Sequence, residues 1–142
     1  MTPELAVLAY AALLQGLQLV LMSTAANLDL GPAKTMSARD QSRLGGPLLD
    51  QLSDKPARLF RAFNNMFEAL ILYTIAVVLV TLTDTGSGFT ALCAYAFLVA
   101  RVAYIPAYYY GWRPWRSLIW MVGLFATYAM IGATLWIHKP WG

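Results

Sequence analysis

Two largely apolar stretches of this chain each carry three polar side chains at spacings that put them on one helical stripe. Arg61, Asn65 and Glu68 fall at i, i+4 and i+7, and Arg101, Tyr104 and Tyr108 at i, i+3 and i+7. If the two stretches are antiparallel helices, level partners have residue numbers with a constant sum. Glu68 with Arg101, Asn65 with Tyr104 and Arg61 with Tyr108 share one such sum, so if one pair is level all three are. At 1.5 Å of rise per residue, Glu68 and Arg101 each lie roughly 14 Å from their helix ends. A carboxylate alone at that depth in an apolar medium is protonated or expelled, so Glu68 needs a partner. Arg101 is the obvious candidate, with Arg61 a turn or two nearer the surface. These residues also fit a purely structural role, in which they fix helix register.

Little else in the chain suggests chemistry. With one His and one Cys, most metal and nucleophile schemes are excluded, and no phosphate loop or hydrolase triad is present. Cys93 has no partner for an internal disulfide. His138 reads as an interfacial side chain, and Gln15 and Gln18 as hydrogen-bond glue between helices.

The elements that must carry the cluster follow from composition. Of 142 residues, 59% are hydrophobic and 12% charged, with a mean hydropathy of +0.56. Soluble domains carry about 25% charged residues, and a soluble fold this small could not hide so much apolar surface. Residues 5–28 and 117–137 contain no charge at all. Each run exceeds the ~20 residues a membrane-spanning helix needs. Residues 59–82 and 89–110 are long enough but hold Arg61, Glu68 and Arg101, and charges kept inside a span face a protein interior or a cavity. The expected fold is therefore an all-α, integral membrane four-helix bundle forming a single domain. Its spans are expected at about 4–28, 57–82, 89–110 and 117–137, with a long loop over 29–55.

The first span does not read as a signal peptide. It is too long, lacks a basic leading segment and has Glu4 where Lys or Arg would stand. Lys34, Arg39, Arg43, Lys55 and Arg58 lie between or beside spans 1 and 2, and Arg113 and Arg116 between spans 3 and 4. Only Lys139 lies near either terminus. Seven basic residues against one put both basic loops in the cytoplasm and both termini outside. A short helix near residues 37–43 is expected within the long loop. Pro3 and Pro56 suit first helical turns, and Pro106 should bend span 3. Trp112, Trp115, Trp136, Trp141 and Tyr110 mark the interfaces. Ala96, Ala100, Ala103 and Ala107 form a small-residue face on span 3, away from Arg101, where a helix can approach closely.

The run Arg61-Ala62-Phe63-Asn64-Asn65-Met66-Phe67-Glu68 resembles the R-A-x-x-N-x-x-E signature of the membrane-associated proteins in eicosanoid and glutathione metabolism, the MAPEG family. Arg101-Val102-Ala103-Tyr104, Tyr108 and Arg116-Ser117 at the head of span 4 are similar to the family pattern as well. The likeness extends to length, span layout and the long first loop, and is closest to the bacterial branch. It implies a homotrimer in a bacterial inner membrane, with periplasmic termini and glutathione held between subunits near the cytoplasmic surface. By position, Arg61, Asn65 and Glu68 would bind glutathione, with Arg101, Tyr104 and Tyr108 contributing from span 3. Arg116, with Ser117 beside it, would stand where the family stabilises the glutathione thiolate, and Arg113 is the rival for that role. Lys34 and Arg39 are the candidates for a glutathione-binding cation in the first loop. A cation near a thiol lowers its pKa and makes it a useful nucleophile. The activity implied is a glutathione S-transferase or peroxidase acting on lipophilic electrophiles or lipid hydroperoxides that arrive from the lipid bilayer.

A non-catalytic protein on the same scaffold is the alternative, with Arg61, Glu68 and Arg101 serving helix packing and trimer assembly. Trp120, Met121 and Leu124 follow Ser117 where catalytic members carry further polar residues, which favours that alternative. A small transporter fits less well, because a charged cluster confined to one half of the membrane makes no path across it.

Overall fold

A computed structural model describes residues 1–30 and 54–139. It holds four helices: α1 (Pro3–Leu30), α2 (Asp54–Leu82), α3 (Gly88–Tyr109) and α4 (Trp115–His138). All four are long and apolar enough to cross a membrane. The expected helix near 37–43 and the candidates Lys34 and Arg39 lie outside the described residues.

Local sequence sets the helix ends. Pro3 and Pro56 sit in first turns, where a missing N–H leaves no bond unmade. Ser87 caps α3 in a reciprocal box: its hydroxyl accepts from the Thr90 N–H, and the Thr90 hydroxyl accepts from the Ser87 N–H at 2.8 Å. Pro106 lies inside α3, and the helix continues past it to Tyr109. Gly111, at φ +68, makes the turn toward α4, and a Cβ there would meet the Arg58 guanidinium at 3.2 Å. Arg58 in turn donates to the Tyr109 carbonyl at 3.2 Å, tying the start of α2 to the end of α3.

α1 and α4 each pack against both α2 and α3, and they occupy opposite corners of the bundle. Between them lies a core of Met66, Tyr73, Val77, Phe97 and Met130, with Tyr73 and Phe97 stacked at 4.3 Å. α3 and α4 lie close together at Gly123, where an added Cβ would be 3.5 Å from that of Ala100. The alanine face of α3 is thus used for close packing. Outward faces stay apolar, with Leu17, Ile75, Val99 and Phe125 exposed as lipid-facing side chains are.

The end of the bundle away from the basic connections has its own polar layer. Glu4 is only 2% exposed, and its carboxylate accepts from the Thr90 hydroxyl. The Tyr73 hydroxyl donates to the Glu4 carbonyl at 2.9 Å. Thr85 bridges Thr83 and Thr134 at 3.0 and 3.1 Å, and His138 Nε2 lies 2.8 Å from the Thr83 carbonyl. Residues from all four helices meet in this layer.

Candidate functional site

At the basic end, α2, α3 and α4 bring five of the expected site residues to one cleft. Asn65 comes from α2, Tyr104 and Tyr108 from α3, and Arg116 and Ser117 from the head of α4, with Trp120 completing the wall. The reason is periodicity. Residues 104 and 108 are one turn apart on α3, and residues 116, 117 and 120 share a face of α4. The cleft has a volume of about 210 Å³. The Arg116 guanidinium stands 5.3 Å from the centre of the Tyr108 ring, and that ring lies 5.3 Å from Tyr104. A cation, two phenols, an amide and a hydroxyl therefore face one space, a set of groups that can hold an anion and donate hydrogen bonds to it.

Arg101 lies one turn deeper and is 3% exposed. It is spent largely on helix–helix contacts: Nη1 donates to Asn65 Oδ1 at 2.9 Å, Nε to Met66 Sδ at 3.3 Å, and the guanidinium covers the Tyr104 ring at 4.4 Å. Nη2 is buried with no partner among the described residues. The expected ion pair with Glu68 is not formed among the described residues. Helix rotation decides this outcome: Asn65 and Met66 point at α3, while Glu68, less than one turn on, is exposed at the edge of α2 that borders α4. Glu68 and Arg101 nevertheless line a common inner cavity of about 70 Å³, with Phe97, Trp120, Gly123 and Thr127. Trp120 is a wall of both spaces.

Arg61 and Arg113 lie outside both spaces. Arg61 is exposed on α2 one turn from the exposed Asn64, and Arg113 is exposed on the connection before α4. The cation that lines the cleft is Arg116.

Sequence reasoning passed over Met66, whose apolar type hides a sulfur acceptor, and Thr127. The signal for Thr127 was available: Arg116, Trp120, Gly123 and Thr127 follow i, i+4, i+7 and i+11 along α4. It also passed over Glu4 as a buried group, reading it only for its charge.

The MAPEG family model matches residues 7–136, nearly the whole chain. The chain belongs to the MAPEG family. No curated protein and no solved structure matches it. The family match covers all four helices of this MAPEG chain, including every residue of the cleft and the inner cavity.

Proposed function

We propose that this MAPEG chain is a membrane-bound, glutathione-dependent transferase or peroxidase acting on lipophilic electrophiles or lipid hydroperoxides. The observation that carries the reading is the convergence of Arg116, Ser117, Tyr104, Tyr108 and Asn65 on one cleft beside an apolar, lipid-facing surface. The donor set fits glutathione. Arg116 supplies a cation for the sulfur, the phenols and Asn65 supply hydrogen bonds, and the unpartnered Nη2 of Arg101 supplies a buried donor for a carboxylate. Glu68 supplies an acceptor for the amino group, and Arg61 a second cation.

Glutathione, when bound, supplies the nucleophilic sulfur: a carbon–sulfur bond forms as a leaving group departs, or two thiols become a disulfide as a hydroperoxide becomes an alcohol and water. The role of Arg116 is to hold negative charge at that sulfur, favouring loss of the thiol proton to solvent. Ser117 and Tyr108 orient the sulfur by hydrogen bonding. Arg113, exposed on the connection, attracts the anionic tripeptide to the cleft mouth.

A homotrimer belongs to this reading for a physical reason. Small-molecule sites are typically about 300–1,000 Å³. One chain's cleft of about 210 Å³ falls short of that range. Arg61, Asn64 and Glu68 are also exposed on a span, and charges facing lipid cost a few kcal/mol or more. A neighbouring copy against this part of α2 removes that cost and completes the site. The basic loops face the cytoplasm, both termini lie in the periplasm, and the membrane is the bacterial inner membrane.

One observation favours a second reading, a non-catalytic membrane protein. Arg101 is committed to Asn65 and Met66, as a residue that fixes register would be. Calorimetry of glutathione on the detergent-solubilised protein separates the two. On the enzyme reading, binding is saturable and lost in Arg61→Ala and Glu68→Ala, and Arg116→Ala cuts conjugation of an aromatic chloride at neutral pH while the oligomer persists. No binding at millimolar glutathione by a well-folded oligomer would establish the structural reading instead.

A further inference from the structure

A second site lies at the same end of the bundle, on the opposite side from the cleft. The end of α1, the start of α2 and the end of α3 enclose an open groove of about 410 Å³. Leu21, Ala25 and Leu28 line it from α1, Leu59 from α2, and Ile105 and Pro106 from α3. Its volume falls within the range of ligand clefts, and its walls are almost wholly apolar. Tyr109 and Tyr110 also line it, and two cations contact this pair of residues. Lys55 Nζ lies 5.6 Å from the Tyr109 ring and 5.9 Å from the Tyr110 ring. Among the described residues Arg58 donates one N–H to the Tyr109 carbonyl, which leaves four of its five donors for other use. The acidic neighbour on this turn is Asp54, exposed at the head of α2.

We infer that this groove binds an anionic phospholipid, with an acyl chain along the apolar walls and the phosphate against Lys55 and Arg58. Charge complementarity is the argument. A groove that served only to meet neutral lipid tails needs no paired cations beside it. Basic pockets between membrane helices on the cytoplasmic side are suited to anionic headgroups, and the positive-inside bias puts this end at the cytoplasm. The two tyrosine rings and the α2 N-terminus add to the fit, since aromatic side chains belong at headgroup depth and a helix N-terminus favours an anion. The inference rests on the membrane placement of the bundle and is independent of glutathione binding.

The test is lipid retention in native mass spectrometry after purification in neutral detergent, with phosphatidylglycerol and phosphatidylcholine of identical chains offered in equal amounts. The expected result is preferential retention of phosphatidylglycerol. The preference falls roughly fivefold in Lys55→Ser and further in the Lys55→Ser, Arg58→Gln pair. Ala25→Phe, which fills the groove and keeps both cations, lowers retention of phosphatidylglycerol. Arg58 also supports the turn at Gly111, so Lys55→Ser alone decides the matter if the double variant does not fold. Equal retention of the two lipids overturns the inference, as does a preference that survives Lys55→Ser. Disulfide formation between copies carrying Leu21→Cys and Ile105→Cys in a Cys93→Ala background, at the expense of lipid, assigns the groove to a second copy and overturns it too.

Discussion

Arg116 and Arg101 are the same residue type in the same half of the bundle, yet their surroundings give them different work. Arg101 is buried and holds α2 against α3 through Asn65 and Met66, whereas Arg116 is half-buried and faces the cleft over Tyr108. Replacing Arg116 by Ala should therefore leave thermal unfolding in detergent nearly unchanged and move the rate profile for conjugation to higher pH. The sign follows from charge: without the cation the bound thiol loses its proton less readily, so more alkaline conditions are needed. Arg116→Lys should restore part of the shift, because a point charge remains where the planar fork is lost. Trp120 sets a different property. It stands between the cleft and the inner cavity, so Trp120→Ala should join the two spaces. Competition between a small and a bulky aromatic electrophile should then shift toward the bulky one, at unchanged glutathione affinity. A change in glutathione affinity alone would mean that Trp120 packs only against the tripeptide.

At the scale of the helices, close approach of α3 and α4 depends on Gly123. Gly123→Ala should be tolerated, since its Cβ would meet Ala100 at an ordinary 3.5 Å. Gly123→Leu should force the helices apart and lower stability by about 1–3 kcal/mol, measurable by unfolding in mixed detergent micelles. Thr90→Val should cost about 1–3 kcal/mol as well, because it strips a buried carboxylate of a donor. The helices themselves were legible in the sequence, because lipid demands long apolar runs and the few charges inside them stand out. The polar stripes were legible through helical spacing, which put Asn65 on one polar face and Tyr104 with Tyr108 on another, whereas Arg116 and Ser117 were marked only by the family resemblance. Helix rotation was not legible. It turned Asn65 and Met66, rather than Glu68, toward Arg101, and depends on side-chain packing along the whole α2–α3 seam. Glu4 was hidden for another reason. A carboxylate in a first helical turn is ordinary electrostatic placement, and only the position of α3 reveals that this one is covered.

The isolated chain leaves Arg61, Asn64 and Glu68 exposed on a span and a cleft smaller than its proposed ligand needs. Both features are ones that the proposed homotrimer would resolve. With Cys93 replaced by Ala, Asn64→Cys should give disulfide-linked copies in native membranes under mild oxidation. Ile75→Cys, nearer the other end of α2, reports how far the contact extends. Size analysis in detergent should give three copies. A monomer that still binds glutathione would sink the shared-site arrangement while leaving the chemistry standing.

The covered carboxylate of Glu4 has a consequence for how the molecule is made. Tyr73, which donates to the Glu4 carbonyl, follows Glu4 by 69 residues, and Thr90, which donates to its carboxylate, by 86. During synthesis α1 therefore reaches the bilayer long before anything can receive its acidic end. That end must wait in contact with water, and α1 can settle to its final depth only once α3 has arrived. The expected consequence is an assembly ordered in time, with the first helix anchored early but seated late: a chain truncated before Thr90 should leave Glu4 open to water.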